Sequence, residues 1–132
     1  MDIVNARVLV VEDDALMRHH VVATLGRLGV QEVKDCADGR EALNIMPAFC
    51  PDVVLTDVHM EPMDGFDLVN RLRHHPSEEI RHSRVVFMSA DSSKSSLTHA
   101  LALGTMAYIV KPPRMESLRN SLETALKEGP NP

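Results

Sequence analysis

Asp57, Glu12, Asp13 and Lys111 are the residues of this chain whose types and positions could do chemistry together. Asp57 closes the apolar run Val53-Val54-Leu55-Thr56, just before the turn-rich stretch Met60-Glu61-Pro62-Met63-Asp64-Gly65. Glu12 and Asp13 close Val8-Leu9-Val10-Val11, and Lys111 closes Ala107-Tyr108-Ile109-Val110. A carboxylate where a buried strand opens into a loop is held rigidly yet stays within reach of solvent. Three acids and one cation at the same ends of parallel strands would converge on one point. Phosphoryl transfer needs such a set: an in-line nucleophile, a metal to neutralise oxygens, and fixed donors. Alone, a strand-end Asp more often caps a turn. Several partners in register favour the chemical reading. Of the first acidic cluster, Asp14 suits a helix cap, and Glu12 and Asp13 suit ligation.

The elements that must position these residues follow from the hydrophobic pattern. Apolar runs alternate with amphipathic stretches five times. The run 8–11 precedes a helix that opens at Asp14-Ala15-Leu16-Met17 and reaches about Leu28. Its stripe is Met17, Val21, Thr24, Leu25 and Leu28, and Gly29 stops it. Glu32-Val33-Lys34-Asp35-Cys36-Ala37 reads as a short strand, followed by a helix through Leu43 and Ile45 that ends before Pro47. The run 53–56 leads to a helix carrying Leu68, Val69 and Leu72, closed before Pro76. Val85-Val86-Phe87-Met88 leads to a helix with Leu97 and Leu101, stopped at Gly104. Its polar start, Asp91-Ser92-Ser93-Lys94-Ser95-Ser96, contains poor helix formers and predicts a loose beginning. The run 107–110 precedes a last helix with Met115, Leu118, Leu122 and Ala125.

Four of the five strands are nearly unbroken apolar runs, as a parallel sheet covered on both faces requires. The second is polar and belongs at an edge. The fold class is therefore α/β: a (βα)5 doubly wound, five-stranded parallel sheet of order 2-1-3-4-5. Ligands in that architecture bind beyond the carboxyl ends of the strands, near the switch between strands one and three. Glu12, Asp13 and Asp57 end those two strands, so fold and chemistry point to one place.

Bulk properties agree. A chain of 132 residues holds one domain with a proper core and is short for two. Apolar residues make up 44%, enough to fold, and a net charge of −5 argues against wrapping nucleic acid phosphates. No apolar run is long enough to span a bilayer, and Asp2 with Asn5 argues against a secretory leader. Cys36 and Cys50 form no metal or CxxC pattern; they suit a reducing, cytoplasmic compartment and read as small packing residues. The adjacent pairs His19-His20 and His74-His75 cannot face one metal from a helix and read as solvated or half-buried. The eight methionines read as core filling. Residues 1–128 form the domain, and Gly129-Pro130-Asn131-Pro132 reads as a short tail or the start of a linker.

Five motifs in order give the chain its likeness: Val10-Val11-Glu12-Asp13-Asp14, Pro51 through Asp57, Met63-Asp64-Gly65, Met88-Ser89-Ala90, and Tyr108-Ile109-Val110-Lys111-Pro112. Together they resemble the receiver domain of two-component response regulators, of the single-domain chemotaxis-regulator type, over nearly the whole chain. The resemblance implies a flavodoxin-like receiver fold and a phosphoacceptor switch rather than an enzyme, one that catalyses only its own phosphorylation and dephosphorylation. Asp57 would take the phosphoryl group from a sensor histidine kinase or histidine phosphotransfer protein. Mg²⁺, or Mn²⁺, would be bound directly by Asp13 and Asp57, through water by Glu12, and by the His59 backbone carbonyl. Lys111 and Ser89 would bind the phosphoryl group, and Ser89 and Tyr108 would form the switch. His59 and Asp91 occupy positions that tune aspartyl-phosphate hydrolysis. The segment 91–96 would be the switching loop. A downstream protein would dock on the 93–128 face, with no direct nucleic acid contact and no membrane insertion. The family usually has a cis bond where Lys111-Pro112 stands. It also has Pro four residues after the acceptor, whereas Glu61 stands here and Pro62 follows, which implies a reshaped loop.

Two other readings compete. A metal-dependent phosphatase with an aspartyl-phosphate intermediate would carry its nucleophile after the first strand in an Asp-x-Asp pattern, which Glu12-Asp13-Asp14 does not match. A phosphorylation-independent adaptor would have no use for an intact site.

Overall fold

The structure, a computed structural model, describes residues 1–128; the sequence-predicted tail lies outside them. A short 3-10 turn, Ile3–Asn5, leads into β1 (Arg7–Val11) and α1 (Ala15–Arg27). Then come β2 (Glu32–Cys36), α2 (Gly39–Phe49), β3 (Val53–Asp57), α3 (Gly65–Arg73) and the single turn α4 (Glu78–Arg81). The chain continues through β4 (Arg84–Ser89), α5 (Lys94–Ala102), β5 (Ala107–Val110) and α6 (Met115–Glu128). All strand pairs are parallel, in the order β2-β1-β3-β4-β5, with the polar strand at the edge as its composition predicts.

Alternation within the apolar strands builds two cores. Leu9, Val11, Val54 and Phe87 point to one face, against Met46 of α2 and Leu68 and Leu72 of α3. Val8, Val10, Leu55 and Met88 point to the other, against Val21 and Leu25 of α1 and Leu118 and Leu122 of α6. Burying each such side chain contributes about 1.5–3 kcal/mol. Both cores grip the central strands, so the carboxyl ends of β1 and β3 have little freedom.

Local chemistry sets the helix ends. Asp14 caps α1 by accepting from the amides of Leu16 at 2.9 Å and Met17 at 3.1 Å. Gly29 leaves that helix at φ +92° and Gly104 follows α5 at φ +75°, values that glycine adopts without a Cβ penalty.

The structure corrects several expectations. α2 does not end before Pro47 but runs through it to Phe49. Pro47 lacks the N–H that would reach the Leu43 carbonyl, an interior loss of about 3 kcal/mol. Burial of Met46 and Phe49, about 1.5–3 kcal/mol each, outweighs it, and Cys50 at φ +50° closes the helix by donating its backbone N–H to Met46 O at 2.9 Å. Cys50 is accordingly exposed and is not a packing residue; only Cys36 is buried. Burial pushes the Cys36 thiol up to about 12, so it packs as an inert group. Among the methionines, Met46, Met60, Met63 and Met88 fill the core, whereas Met1 and Met115 are exposed. Leu97 and Leu101, which mark α5 in the sequence, face outward, while Ser96 and Ala100 face in. The turn α4, capped by Ser77 and anchored by buried Ile80, lies between α3 and β4, where the hydrophobic pattern marked no element.

Candidate functional site

Strand register brings the predicted residues together. Val11 pairs with Thr56, Asp57 with Met88, and Ser89 with Val110. The next residues along, Glu12 and Asp13 after β1 and Lys111 after β5, therefore reach the same edge as Asp57. The Lys111 amide donates to the Ser89 carbonyl at 2.8 Å, which fixes its backbone beside β4.

Asp57 is buried at the end of β3, and Glu12 is fully buried at the end of β1. Lys111 Nζ hydrogen-bonds to Glu12 Oε1 and lies 3.1 Å from Asp57 Oδ2. Asp13 is exposed, and ligand atoms of Glu12, Asp13 and Asp57 all lie within 4.8 Å of one another. Three carboxylates against one ammonium leave two excess negative charges when all are ionised. Burial, followed by the nearby Asp57 charge, pushes the Glu12 carboxyl up to about 7, although its bond to Lys111 pulls the other way. Burial alone would pull the Lys111 ammonium down, but its bond to Glu12 and the Asp57 charge hold it above the usual lysine value. With every group ionised, the cluster is short of positive charge.

Residues that motif reading gave no role complete the frame. Arg18 donates to the Glu12 carbonyl at 2.8 Å and to Asp35 Oδ2 at 3.1 Å, tying the β1–α1 turn to the edge strand. Thr56 Oγ1 donates to the Asp57 carbonyl at 3.0 Å. Gly65 donates its amide to the Val58 carbonyl at 2.7 Å, and a Cβ there would stand 2.1 Å from the Asp57 carbonyl oxygen. The spacing of Gly65 was visible in the sequence; the close approach that demands glycine was not. Arg18 carried no signal beyond its place on the exposed side of the first helix turn.

The predicted switch residues lie beside the cluster. Ser89 is fully buried, and its Oγ accepts from the Asp91 amide at 3.0 Å. The Tyr108 hydroxyl donates to the Asp91 carbonyl at 2.5 Å, and its ring is tilted against Phe87. The Asp91 carboxylate accepts from the Ser93 amide and the Ser96 hydroxyl, each at 2.8 Å, and His59 Nε2 lies 3.7 Å away. These bonds, first that of the Ser93 amide, hold the Asp91 carboxyl below the usual carboxylate range. The segment 91–96 is therefore not a loose start: Ser93 caps α5 and Asp91 braces the cap. Serines that are poor inside a helix are good at its first turn, and tertiary partners are present here to receive them.

Lys111-Pro112 is cis, and so is Glu61-Pro62 in the loop after Asp57. Met60 and Met63 are buried around the second of these, so the altered proline position goes with a loop anchored on both sides. The histidine pairs are exposed or half-buried, and none joins a metal-ligand cluster among the described residues. Among those residues, no helix is long and apolar enough to cross a membrane.

Comparison with known proteins agrees with this geometry. Residues 8–123 match the family model of the response regulator receiver domain. The chain is 32% identical over 119 residues to chemotaxis protein CheY-3 of Vibrio cholerae, covering 90% of each chain. It is 32% identical over 121 residues to chemotaxis protein CheY1 of Helicobacter pylori, covering 91% of this chain and 96% of that one. Its fold matches the solved structure of the Vibrio cholerae chemotaxis protein CheY4 with a TM-score of 0.84 at 32% identity, over 92% of this chain and 98% of that one.

Proposed function

Because the chain belongs to the response regulator receiver family, we propose that it is a phosphoacceptor signalling switch. Asp57 takes the phosphoryl group from a phosphohistidine on a sensor histidine kinase or a histidine phosphotransfer protein. An Oδ atom of Asp57 attacks phosphorus in line, the P–N bond breaks with its electron pair going to the donor imidazole, and an acyl phosphate forms on the aspartate. The observation that carries this reading is Asp57 itself, buried at a strand end against Lys111 with Glu12 and Asp13 in reach.

A hard divalent cation fits the donor set, because every ligand is oxygen and the cluster carries excess negative charge. Asp13 and Asp57 would hold Mg²⁺, or Mn²⁺, directly, with Glu12 through water and the His59 carbonyl completing the set. When bound, the ion neutralises phosphoryl oxygens. Lys111 would exchange one carboxylate partner for a phosphoryl oxygen. Ser89 would turn to donate to that group, and Tyr108 would follow. His59 and Asp91, at the mouth of the site, would set how readily water reaches the acyl phosphate. The outer surface within residues 93–128 would present the result to a downstream protein in the cytoplasm, without nucleic acid or membrane contact. Catalysis is limited to phosphorylation and dephosphorylation of the chain itself.

Intact mass after incubation with acetyl phosphate and Mg²⁺ tests the proposal. The wild type gains one phosphoryl adduct that needs the metal, and Asp57→Ala gains none. An absent adduct with either metal would instead leave a phosphorylation-independent adaptor.

A further inference from the structure

Asp91 uses every polar atom it has. Its amide bonds Ser89 on β4, and its carbonyl bonds Tyr108 on β5. Its Oδ1 accepts from the Ser93 amide, and Oδ2 accepts from the Ser96 hydroxyl and faces His59 in the loop after Asp57. Ser93 already caps α5 through the Ser96 amide at 3.2 Å, so the carboxylate is not required to end the helix. It ties a helix that is already capped to the end of β4. The bonds to its charged form are of the stronger kind, and Ser96 is buried with this carboxylate as its hydroxyl partner.

We propose that the Asp91 carboxylate is the link through which a displacement of Ser89 reaches α5, and with it the exposed Leu97 and Leu101. The Ser89 hydroxyl accepts from the Asp91 amide, leaving its own hydrogen for an acceptor beside Asp57. Turning toward such an acceptor either drags the Asp91 amide along or releases it. Either movement is passed on by the same residue, through the carbonyl to Tyr108 and through the carboxylate to the first turn of α5. Tyr108 and α5 therefore cannot respond independently while the side chain is present. What displaces Ser89 in the working protein rests on the phosphoacceptor reading; the link itself belongs to the unmodified chain.

The unmodified protein therefore suffices for the test. Tyr108 is the single tyrosine, so labelling with 3-fluorotyrosine gives one ¹⁹F resonance, and ¹⁵N spectra follow the amides of Leu97 and Leu101. Ser89→Ala, which removes the acceptor of the Asp91 amide, shifts all three signals in the native background. In the Asp91→Ala background the same change still shifts Tyr108, through the retained carbonyl, but no longer shifts Leu97 or Leu101. Such a double-mutant cycle isolates the side-chain link. An α5 response that survives in Asp91→Ala, or that is missing from the native background, overturns the proposal. Ser96→Ala keeps the question decidable should Asp91→Ala lose its fold, because it removes one partner of Oδ2 and attenuates the α5 response. An undiminished response there also overturns the link. Failure of the phosphoacceptor reading would appear separately, as a missing mass adduct.

Discussion

Gly65→Ala pits two physical effects of opposite sign against each other. Helix propensity favours alanine in α3 by up to roughly 0.5–1 kcal/mol, so a view limited to local structure predicts a stabilised protein. The packing predicts the reverse. A Cβ at Gly65 would lie 2.1 Å from the Asp57 carbonyl oxygen and 3.0 Å from both Asp57 C and Val58 Cα, where ordinary contact begins at 3.4 Å. The shortfall is 3.4 − 2.1 = 1.3 Å. No flexible side chain can yield, because the opposing atoms are backbone. That backbone is pinned by the Gly65 amide on Val58 O and by the Val58 amide on Met88 O at 3.1 Å. Overpacking costs about 1–3 kcal/mol, and this rigid case belongs near 3 kcal/mol. Net of the propensity gain the loss is about 2 kcal/mol, and with a slope of about 2 kcal/mol per molar urea the unfolding midpoint falls by about 1 M. The displaced strand end carries Asp57, and a misplacement near 1 Å slows its phosphorylation by about 10²-fold. Urea unfolding followed by circular dichroism, with intact mass under acetyl phosphate, reads both effects. Gly39→Ala is the comparison, since its closest neighbour is the flexible Met63 Sδ at 2.7 Å, and it should lose much less. A Gly65→Ala protein as stable as wild type, with unchanged phosphorylation, would refute the close approach on which this reasoning stands.

Other outcomes follow from the same geometry. Glu12 holds its proton more tightly when folded, with a value of about 7 against an ordinary 4.5, so the metal-free protein is favoured below that window. Its stability should fall as pH rises from 4.5 through 7, and Glu12→Gln should flatten this part of the urea-midpoint profile. Mg²⁺ affinity should rise over the same window, because loss of the Glu12 proton adds a negative charge beside the ion and frees an acceptor for its water; calorimetry at several pH values checks it. Lys111→Met removes the cation that holds Glu12 down, so a carboxyl ¹³C titration should place Glu12 above about 7, with phosphorylation of Asp57 lost or greatly slowed. Asp14→Ala removes the cap that serves Leu16 and Met17 and should cost about 1 kcal/mol in urea unfolding, with the adduct at Asp57 still formed.

Much of this protein is written in local pattern. Apolar runs at 8–11, 53–56, 85–88 and 107–110 announce buried parallel strands, and the polar 32–36 announces an edge, because side-chain burial on a sheet is a property of short segments. The acids and the lysine that end those runs are legible for the same reason: strand order and register turn sequence position into spatial position. Elsewhere, distant partners decided. Pro47 should stop a helix, yet burial of Met46 and Phe49 carries α2 past it. Leu97 and Leu101 should face a core, yet α5 turns Ser96 inward to meet Asp91 and leaves the leucines in solvent. A loose serine-rich start became a braced cap once Asp91 and Tyr108 stood beside it.

The sequence by itself determined the five strands and the end of the sheet at which the acids and the lysine gather, since both depend on residue type and short-range periodicity. Only the tertiary structure decided that position 65 must be glycine, that Glu12 is buried enough to hold a proton near neutrality, and that Asp91 joins β4, β5 and α5. Those properties arise from atoms far apart in the chain meeting within a few ångströms, and no local pattern encodes such a distance.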